Sequence, residues 1–589
     1  MAFRTFGWVQ NPSDFTKLKK TVQVFDPQSK QYEELDKHTI NNVIYFDSDK
    51  ERLQDELDNK VSEFTYEDLV GTSRNKAGKS PKKRSDAIAN SLLQVTILPQ
   101  SANTKGKFYT DNWTADGFLR WAVSLGFVSY NREKDLFKIT ELGEKLSQTA
   151  DGSVEEMEIL QNAMLSYPPA TRILSLLAES KQPLTKFAIG NRLGFIGEKG
   201  FTSYDEDLMI DWLKSAATKK EHDKIKSDVE GTSDKYARMI AGWLSKLKFV
   251  KKHTNKYELD DGRTISGFQT YSITGQGLHA IKKANGSSKN STRPKYVLWE
   301  FLAIAGKQDS EQTRDFVRTR RAKIIIGLSH HHTISALIDF LSNEGIEVDE
   351  SLLNSEIKKL ISFGLRIKQN GNSIILQDNI VGIDIPNQTF TPAEADLDSE
   401  IIKNHYRKIT NLPEKYIELL DIAFDHHRHQ DFEIITAGLF KDCYGLSSIH
   451  LGGQNKPDGV VFNSKFGIIL DTKAYEKSYG MHINQIDEMC RYIEDNKQRD
   501  KIRQPNEWWN NFGDNIPENK FYYLWVSGKF LPKFNEQLKQ THYRTGINGG
   551  GLEVSQLLLG ADAVMKGALN VNNLPTYMHN NVIQLVSET

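Results

Sequence analysis

Cysteine is almost missing from this chain: Cys443 and Cys490 are the two in 589 residues. Two thiols cannot build a disulfide framework, so a reducing, cytoplasmic setting is expected. No run of about 18 apolar residues occurs, so neither a transmembrane helix nor a membrane partner is expected. The opening "MAFRTFGWVQNP" lacks a charged segment followed by an apolar run and does not read as a signal peptide. There is no G-x-x-x-x-G-K-[ST] loop, which removes P-loop nucleotide hydrolysis. An excess of positive charge is missing too: 76 Lys and Arg face 77 Asp and Glu, for a net charge of −1.

What is present is ordinary globular material, 38% apolar and 26% charged, enough for roughly four domains. The neutral total hides an uneven distribution. Arg74, Lys76, Lys79, Lys82, Lys83, Arg84, Lys105 and Lys107 crowd one segment opposed only by Asp86. A second basic zone runs from Lys282 through Arg293, Lys295, Arg318, Arg320, Arg321 and Lys323. Patches of this kind suit contacts to DNA phosphates; the alternative is a solvated basic loop.

Three stretches share a plan of amphipathic helix, turn and two-stranded hairpin. In "GFLRWAVSLGFVSYNREKDLFKITELGEKL", Phe118, Trp121, Leu125 and Phe127 fit a buried face, "NREKD" the turn and "LFKIT" the return strand. The second runs from "YARMIAGWLSKLKFV" to "YSITGQGLHAIKKA", and its exit, Ile273-Thr274 before Gly277-Leu278, echoes Ile139-Thr140 before Leu142-Gly143. In the third, "EIKKLISFGLRIKQNGNSIILQD", Asn370-Gly371 is a two-residue hairpin signal. Helix, helix and hairpin make the winged-helix form of helix-turn-helix, which reads DNA but also serves protein contacts.

Punctuation divides the chain. "ADGSVEE" separates residues 1–150 from 151–284, and "KKANGSSKNSTRPK" reads as a linker before a third unit at 296–384. Residues 385–398, around "IPNQTFTPAEAD", form a second linker. From 399 to 589 the pattern becomes mixed, with helices at "IIKNHYRKI" and "KYIELLDIAF" and strands at "GVVF", "GIILDT" and "YYLWVSG". The expected fold is multidomain: α+β winged-helix-like units, then an α/β domain.

The α/β domain holds "NKPDGVVFNSKFGIILDTKAY". With the turn centred between Ser464 and Lys465, Asp458 stands opposite Asp471 on the neighbouring strand, Cβ atoms about 5 Å apart. Lys473 shares the face of Asp471, about 7 Å along. Facing carboxylates destabilise a hairpin unless compensated, and Mg²⁺ is typically held by one or two carboxylates plus phosphate oxygens. The helix at "HQDFEIITAGLF" could bring Glu433 as a third carboxylate. This is the pattern of the PD-(D/E)xK nucleases, in which Asp458 and Asp471 would hold the ion and Lys473 would orient the attacking water. The histidine runs "SHHHT" and "DHHRHQ" lack metal-site spacing and read as solvated or cap residues.

Beyond these motifs, "RTFGWVQNP", "DNWTADGFLRWA", "SDKYARMIAGWL", "VRTRRA", "HLGGQNKPDG", "DTKAY", "QIDEMCRYIE" and "PNEWW" resemble the FokI-type family of type IIS restriction endonucleases along nearly the whole chain. The resemblance implies a prokaryotic enzyme with a DNA-recognition region and a Mg²⁺ nuclease domain. It implies double-stranded DNA as partner, an asymmetric site (GGATG in the family's type member) and cutting of both strands about a helical turn away. It also implies a DNA methyltransferase as functional partner. By matched motif, Asp458, Asp471 and Lys473 are catalytic. Gln10, Asn11 and Trp113 in the first unit, and Glu230, Lys235 and Arg238 in the second, contact DNA, with amides suited to adenine, Arg or Lys to guanine and Glu to cytosine. The chain departs from the family at Ser227 and Val229, where the pattern has Asn and Trp, and along the Lys-rich stretch that includes Arg84 and Gln100.

In "INQIDEMCRYIEDN", Asp487 and Arg491 lie at i and i+4. They read either as an intrahelical ion pair or, from the resemblance, as a two-fold interface that pairs two nuclease domains in a transient homodimer. Two other functions fit parts of the pattern: a non-catalytic winged-helix DNA-binding regulator, and a structure-selective repair nuclease.

Overall fold

The computed structural model describes residues 8–10, 12–97, 101–102, 108–109, 112–214, 216, 218–228, 230–258, 264–286, 293–304, 310–453 and 455–587. In the first unit, β1 (Glu63–Thr65) lies beside a hairpin of β2 (Val128–Asn131) and β3 (Leu136–Ile139), in the order β1-β3-β2. Helix α1 (Asn112–Ser124) precedes the hairpin and buries Phe118, Leu119, Trp121 and Ala122, as its apolar spacing requires. Helix α2 (Glu141–Gln148) follows.

The second unit repeats the plan with α3 (Glu206–Lys214), α4 (Thr232–Lys246), a hairpin of β4 (Val250–Glu258) and β5 (Thr264–Ile273), and α5 (Gly275–Asn285). The repeat extends to single atoms. Thr140 caps α2 by accepting from Gly143 N–H and donates its hydroxyl to Gly126 O at 2.7 Å. Thr274 caps α5 through Gly277 N–H and donates to Lys248 O at 2.7 Å. A Cβ at Gly143 would sit 2.2 Å from Phe127 O, and one at Gly277 would sit 2.1 Å from Phe249 O. Glycine at the third position of each helix is therefore demanded by the hairpin backbone beneath it. The interdomain linker expected from Lys282 begins later, because α5 continues to Asn285.

Trp121 of α1 and Trp243 of α4 stack at 4.6 Å and 22°, welding the two units together. In the third unit, α6 (Glu311–Leu328) and α7 (Glu350–Phe363) precede β6 (Ile367–Asn370) and β7 (Ser373–Leu376). The register pairs Asn370 with Ser373, so the two-residue turn is Gly371-Asn372, one step beyond the expected Asn370-Gly371. Gly371 supplies the left-handed φ of 56° that such a turn needs.

Four members of the second basic zone cannot form a DNA-facing patch. Arg318, Arg320, Arg321 and Lys295 are all buried. Arg320 and Arg321 each donate to Glu356 at 2.6 Å, Arg320 also bonds Glu400, and Arg321 also bonds Glu198. Their charges are consumed inside the protein, where burial is tolerated only with partners. In the first zone, Lys76, Lys79, Lys82 and Lys83 are exposed, while Arg74 is ion-paired to Asp49.

The C-terminal domain begins with α8 (Glu394–Ile409), which starts inside the expected second linker. It then builds α9 (His429–Asp442) and a six-stranded sheet of β8 (Ser447–His450), β9 (Gly459–Phe462), β10 (Gly467–Lys473), β11 (Phe521–Ser527), β12 (Gly549–Glu553) and β13 (Asn581–Val582). The first three strands are antiparallel and the last four parallel, with β10 shared. Helices α10 (Ile483–Gln498) and α11 (Phe534–Thr545) cover one face, and α9 with α12 (Val554–Met565) the other. Each face has its own apolar core, which fixes the alternation of the central strands.

This domain docks on the second unit. Phe187, Tyr204, Leu208, Met209 and Trp212 share an apolar cluster with Ile434 and Ala437 of α9. Tyr204 donates to Asp431 at 2.8 Å, and Lys456 faces Glu221 at 3.4 Å.

Candidate active site

The antiparallel ladder of β9 and β10 pairs Gly459 with Leu470 and Val460 with Ile469, the register that sets Asp458 against Asp471. The ladder stops one residue short of that pair. Asp458, at the strand mouth, turns one carboxylate oxygen onto Thr472, accepting from its N–H at 2.7 Å and its hydroxyl at 3.1 Å. Asp471 is buried, and Lys473, two residues on along the same face, forms an ion pair with it. The Lys473 ammonium lies 5.3 Å above the Trp525 ring of β11, which supports a cation from below. Thr472 is a site residue that sequence reasoning missed; as the residue between Asp471 and Lys473 it carried no separate signal.

Burial, and next the charge of Glu433, push Asp458 above the ordinary carboxylate value. Burial and then the Asp458 charge push Asp471 well above it. Burial pulls the Lys473 ammonium down, but Asp471 and Asp458 outweigh it and hold the amine above the usual lysine range. Two desolvated carboxylates, with Glu433 raising the proton affinity of Asp458 and Asp458 that of Asp471, make a pocket of excess negative charge. The donor set, two hard oxygens groups beside one cation, fits Mg²⁺ that keeps its remaining coordination for water and phosphate. Among the described residues, no three His, Cys, Asp or Glu side chains are arranged to hold a metal ion.

Glu433 sits on α9 and is not a third ligand in this arrangement: its Oε2 accepts from His450 Nε2 at 3.0 Å. Asp487 and Arg491 do not form the intrahelical pair considered above. Asp487 accepts from Arg544 of α11 at 2.6 Å, and Arg491 faces Glu488 at 3.4 Å. Both remain about half exposed on α10, with side chains 53% and 40% accessible.

In the N-terminal units, Trp113 at the start of α1 is 61% exposed. Gln10 donates to the Tyr236 hydroxyl at 3.1 Å, which sets it against α4. On that helix Lys235 and Arg238 are exposed one turn apart. Both oxygens of Glu230 are taken, by Arg238 at 2.7 and 3.1 Å and by Lys186 at 2.9 Å. Burial pushes Glu230 up, but these cations outweigh it and hold it below the ordinary value. Glu230 thus presents Arg238 rather than an open acceptor. Asn11 lies outside the described residues.

A mixed sheet with paired carboxylates and a lysine at its mouth, set behind three helix-and-hairpin units, defines a multidomain protein with N-terminal recognition subdomains and a C-terminal cleavage domain. The comparisons agree segment by segment. Residues 4–149 match FokI recognition-domain subdomain 1, residues 156–289 subdomain 2, residues 309–372 the FokI D3 domain and residues 396–584 the FokI cleavage domain. Type II restriction enzyme FokI of Planomicrobium okeanokoites is 39% identical over 593 residues, covering 98% of this chain and 99% of the relative. Type II restriction enzyme StsI of Streptococcus sanguinis is 30% identical over 582 residues, covering 95% and 92%. The solved structure of FokI bound to DNA superposes with a TM-score of 0.87 at 37% identity, covering 99% of this chain and 100% of that one; FokI alone gives 0.86 at 38%, with the same coverage. The chain belongs to the FokI family of type II restriction enzymes.

Proposed function

We propose that the protein is a Mg²⁺-dependent type IIS restriction endonuclease. It binds an asymmetric DNA site, expected to be GGATG, and hydrolyses a phosphodiester in each strand about a helical turn away. The observation that carries the chemistry is the Asp458–Asp471 pair with Lys473 on the same face. Asp458 and Asp471 would hold the ion, which when bound would supply charge neutralisation at the scissile phosphate. Thr472 fixes the Asp458 carboxylate. Lys473 orients a water for attack; the water gives up one proton to solvent as its oxygen bonds to phosphorus, the bond to one sugar oxygen breaks, and that oxygen takes a proton from solvent. Lys235, Arg238, Gln10 and Trp113 occupy the surface that faces DNA, with Asn11 adjoining Gln10 in sequence.

One such site cuts one strand. A double-strand break therefore calls for a second nuclease domain, paired in a transient homodimer through Asp487 and Arg491 of α10. A cognate DNA methyltransferase protects the host's own sites. Support for recognition comes from the 39% identity to FokI along nearly the whole chain.

The test is incubation of plasmid DNA with the protein and Mg²⁺, followed by mapping of the ends. Cuts at a fixed offset from one asymmetric sequence are expected. Binding without cutting would indicate a regulator, and cuts confined to junctions or flaps a repair nuclease.

A further inference from the structure

Between the docked second unit and the catalytic hairpin lies a chain of contacts that the hydrolysis just proposed does not use. His450, the last residue of β8, is 1% exposed. A carboxylate only accepts, so the His450 nitrogen facing Glu433, Nε2, carries the proton. The other nitrogen, Nδ1, is buried with no hydrogen-bond partner among the described residues. Trp212 of α3 closes the imidazole edge-on, ring centroids 4.2 Å apart at 81°. The Trp212 indole N–H donates to Leu451 O at 2.8 Å, and Leu451 N–H in turn donates to Asp458 O at 2.9 Å. Gly452 permits this seat: a Cβ there would stand 2.9 Å from the imidazole and 3.0 Å from the indole.

We propose that His450 is a positioning residue that parks the Glu433 carboxylate away from the Asp458–Asp471 pair while Trp212 of the N-terminal region covers it, so that withdrawal of Trp212 frees Glu433 to join the pair as a third carboxylate. The inference rests on the metal site proposed above. Its geometry is local. Glu433 is bonded to His450, which pairs across β8 and β9 with Gly459, the residue next to Asp458, yet among the described residues it completes no three-carboxylate site. With Trp212 gone, water reaches Nδ1, the imidazole is no longer clamped, and the hold on Glu433 loosens. The docking surface and the metal site are thereby linked through one side chain.

The test uses the full chain without DNA and reads Mn²⁺ binding by electron paramagnetic resonance. His450→Leu and Trp212→Leu should each bind Mn²⁺ about tenfold more tightly than the unaltered chain. His450→Gln, whose amide N–H can still reach Glu433, should bind as the unaltered chain does. Adding Glu433→Gln to His450→Leu should abolish the gain. Unchanged or weaker binding in His450→Leu, or a gain that survives Glu433→Gln, would overturn the relay. Asp471→Asn separates the two claims. If it abolishes Mn²⁺ binding while His450→Leu does not tighten it, the relay alone fails. If no protein binds Mn²⁺ at a site that depends on Asp471, the metal site fails and the relay with it.

Discussion

Thr472 donates twice to a single oxygen of Asp458, from its backbone N–H at 2.7 Å and from its hydroxyl at 3.1 Å. The backbone bond survives any substitution, so the side chain tunes rather than builds the site. Thr472→Val should lower the cleavage rate about fivefold, the worth of roughly 1 kcal/mol for one hydrogen bond. Asp458→Ala should bind the recognition sequence with unaltered affinity and cut nothing; a gel-shift and a plasmid assay on the same preparation decide.

On α10, Asp487 is bonded to Arg544 and Arg491 faces Glu488, so neither is committed to the other within one chain. Asp487→Ala combined with Arg491→Ala should leave DNA affinity unchanged and slow double-strand cutting at least about tenfold, with nicked intermediates accumulating. Equal rates of linear product from the double variant and the parent would refute the paired arrangement.

Glu356 is buried and bonds both Arg320 and Arg321. Removing its charge leaves Arg320 with Glu400 and Arg321 with Glu198 as their remaining carboxylate partners. Glu356→Gln should cost about 3–5 kcal/mol of unfolding free energy, measured in urea. A loss below about 1 kcal/mol would mean that Glu198 and Glu400 suffice for the two arginines.

Asp234, buried in the second unit, accepts from Gly231 N–H at 2.9 Å and is bonded to Ser203. Burial raises its carboxyl from 3.8 to about 7. Because the folded value lies above the unfolded one, its stabilising contribution is complete below 3.8 and disappears as pH rises through about 7. Unfolding stability should therefore fall across that window by at most about 4 kcal/mol, a slope that Asp234→Asn removes. Equal slopes for Asp234→Asn and the parent between pH 4 and 7 would rule this out.

How far the chain is legible from residues differs element by element. The catalytic hairpin is readable because its turn sits between two apolar β-branched runs, and one register alone buries both. The duplicated Thr-x-x-Gly helix starts are readable because capping is local chemistry. The strand Gly549–Glu553 is not: three successive glycines argue against a strand until the rings of Tyr523, Phe530 and Phe534 and the side chain of Ile583 are seen to fill the space a Cβ would need. The arginines of α6 look like a DNA-facing stripe because nothing nearby in sequence shows Glu198, Glu356 and Glu400 converging on them.

The sequence by itself determined the helix-and-hairpin units, the mixed C-terminal domain and the cluster of Asp458, Asp471 and Lys473, since periodicity, capping and strand register act over neighbouring residues. Only tertiary structure decided that Glu433 answers to His450, that Trp212 seals that imidazole, and that Glu230 is already occupied by Lys186 and Arg238. Those contacts join segments far apart in the chain; each is a matter of which buried polar group finds a partner, and that is settled when the domains pack.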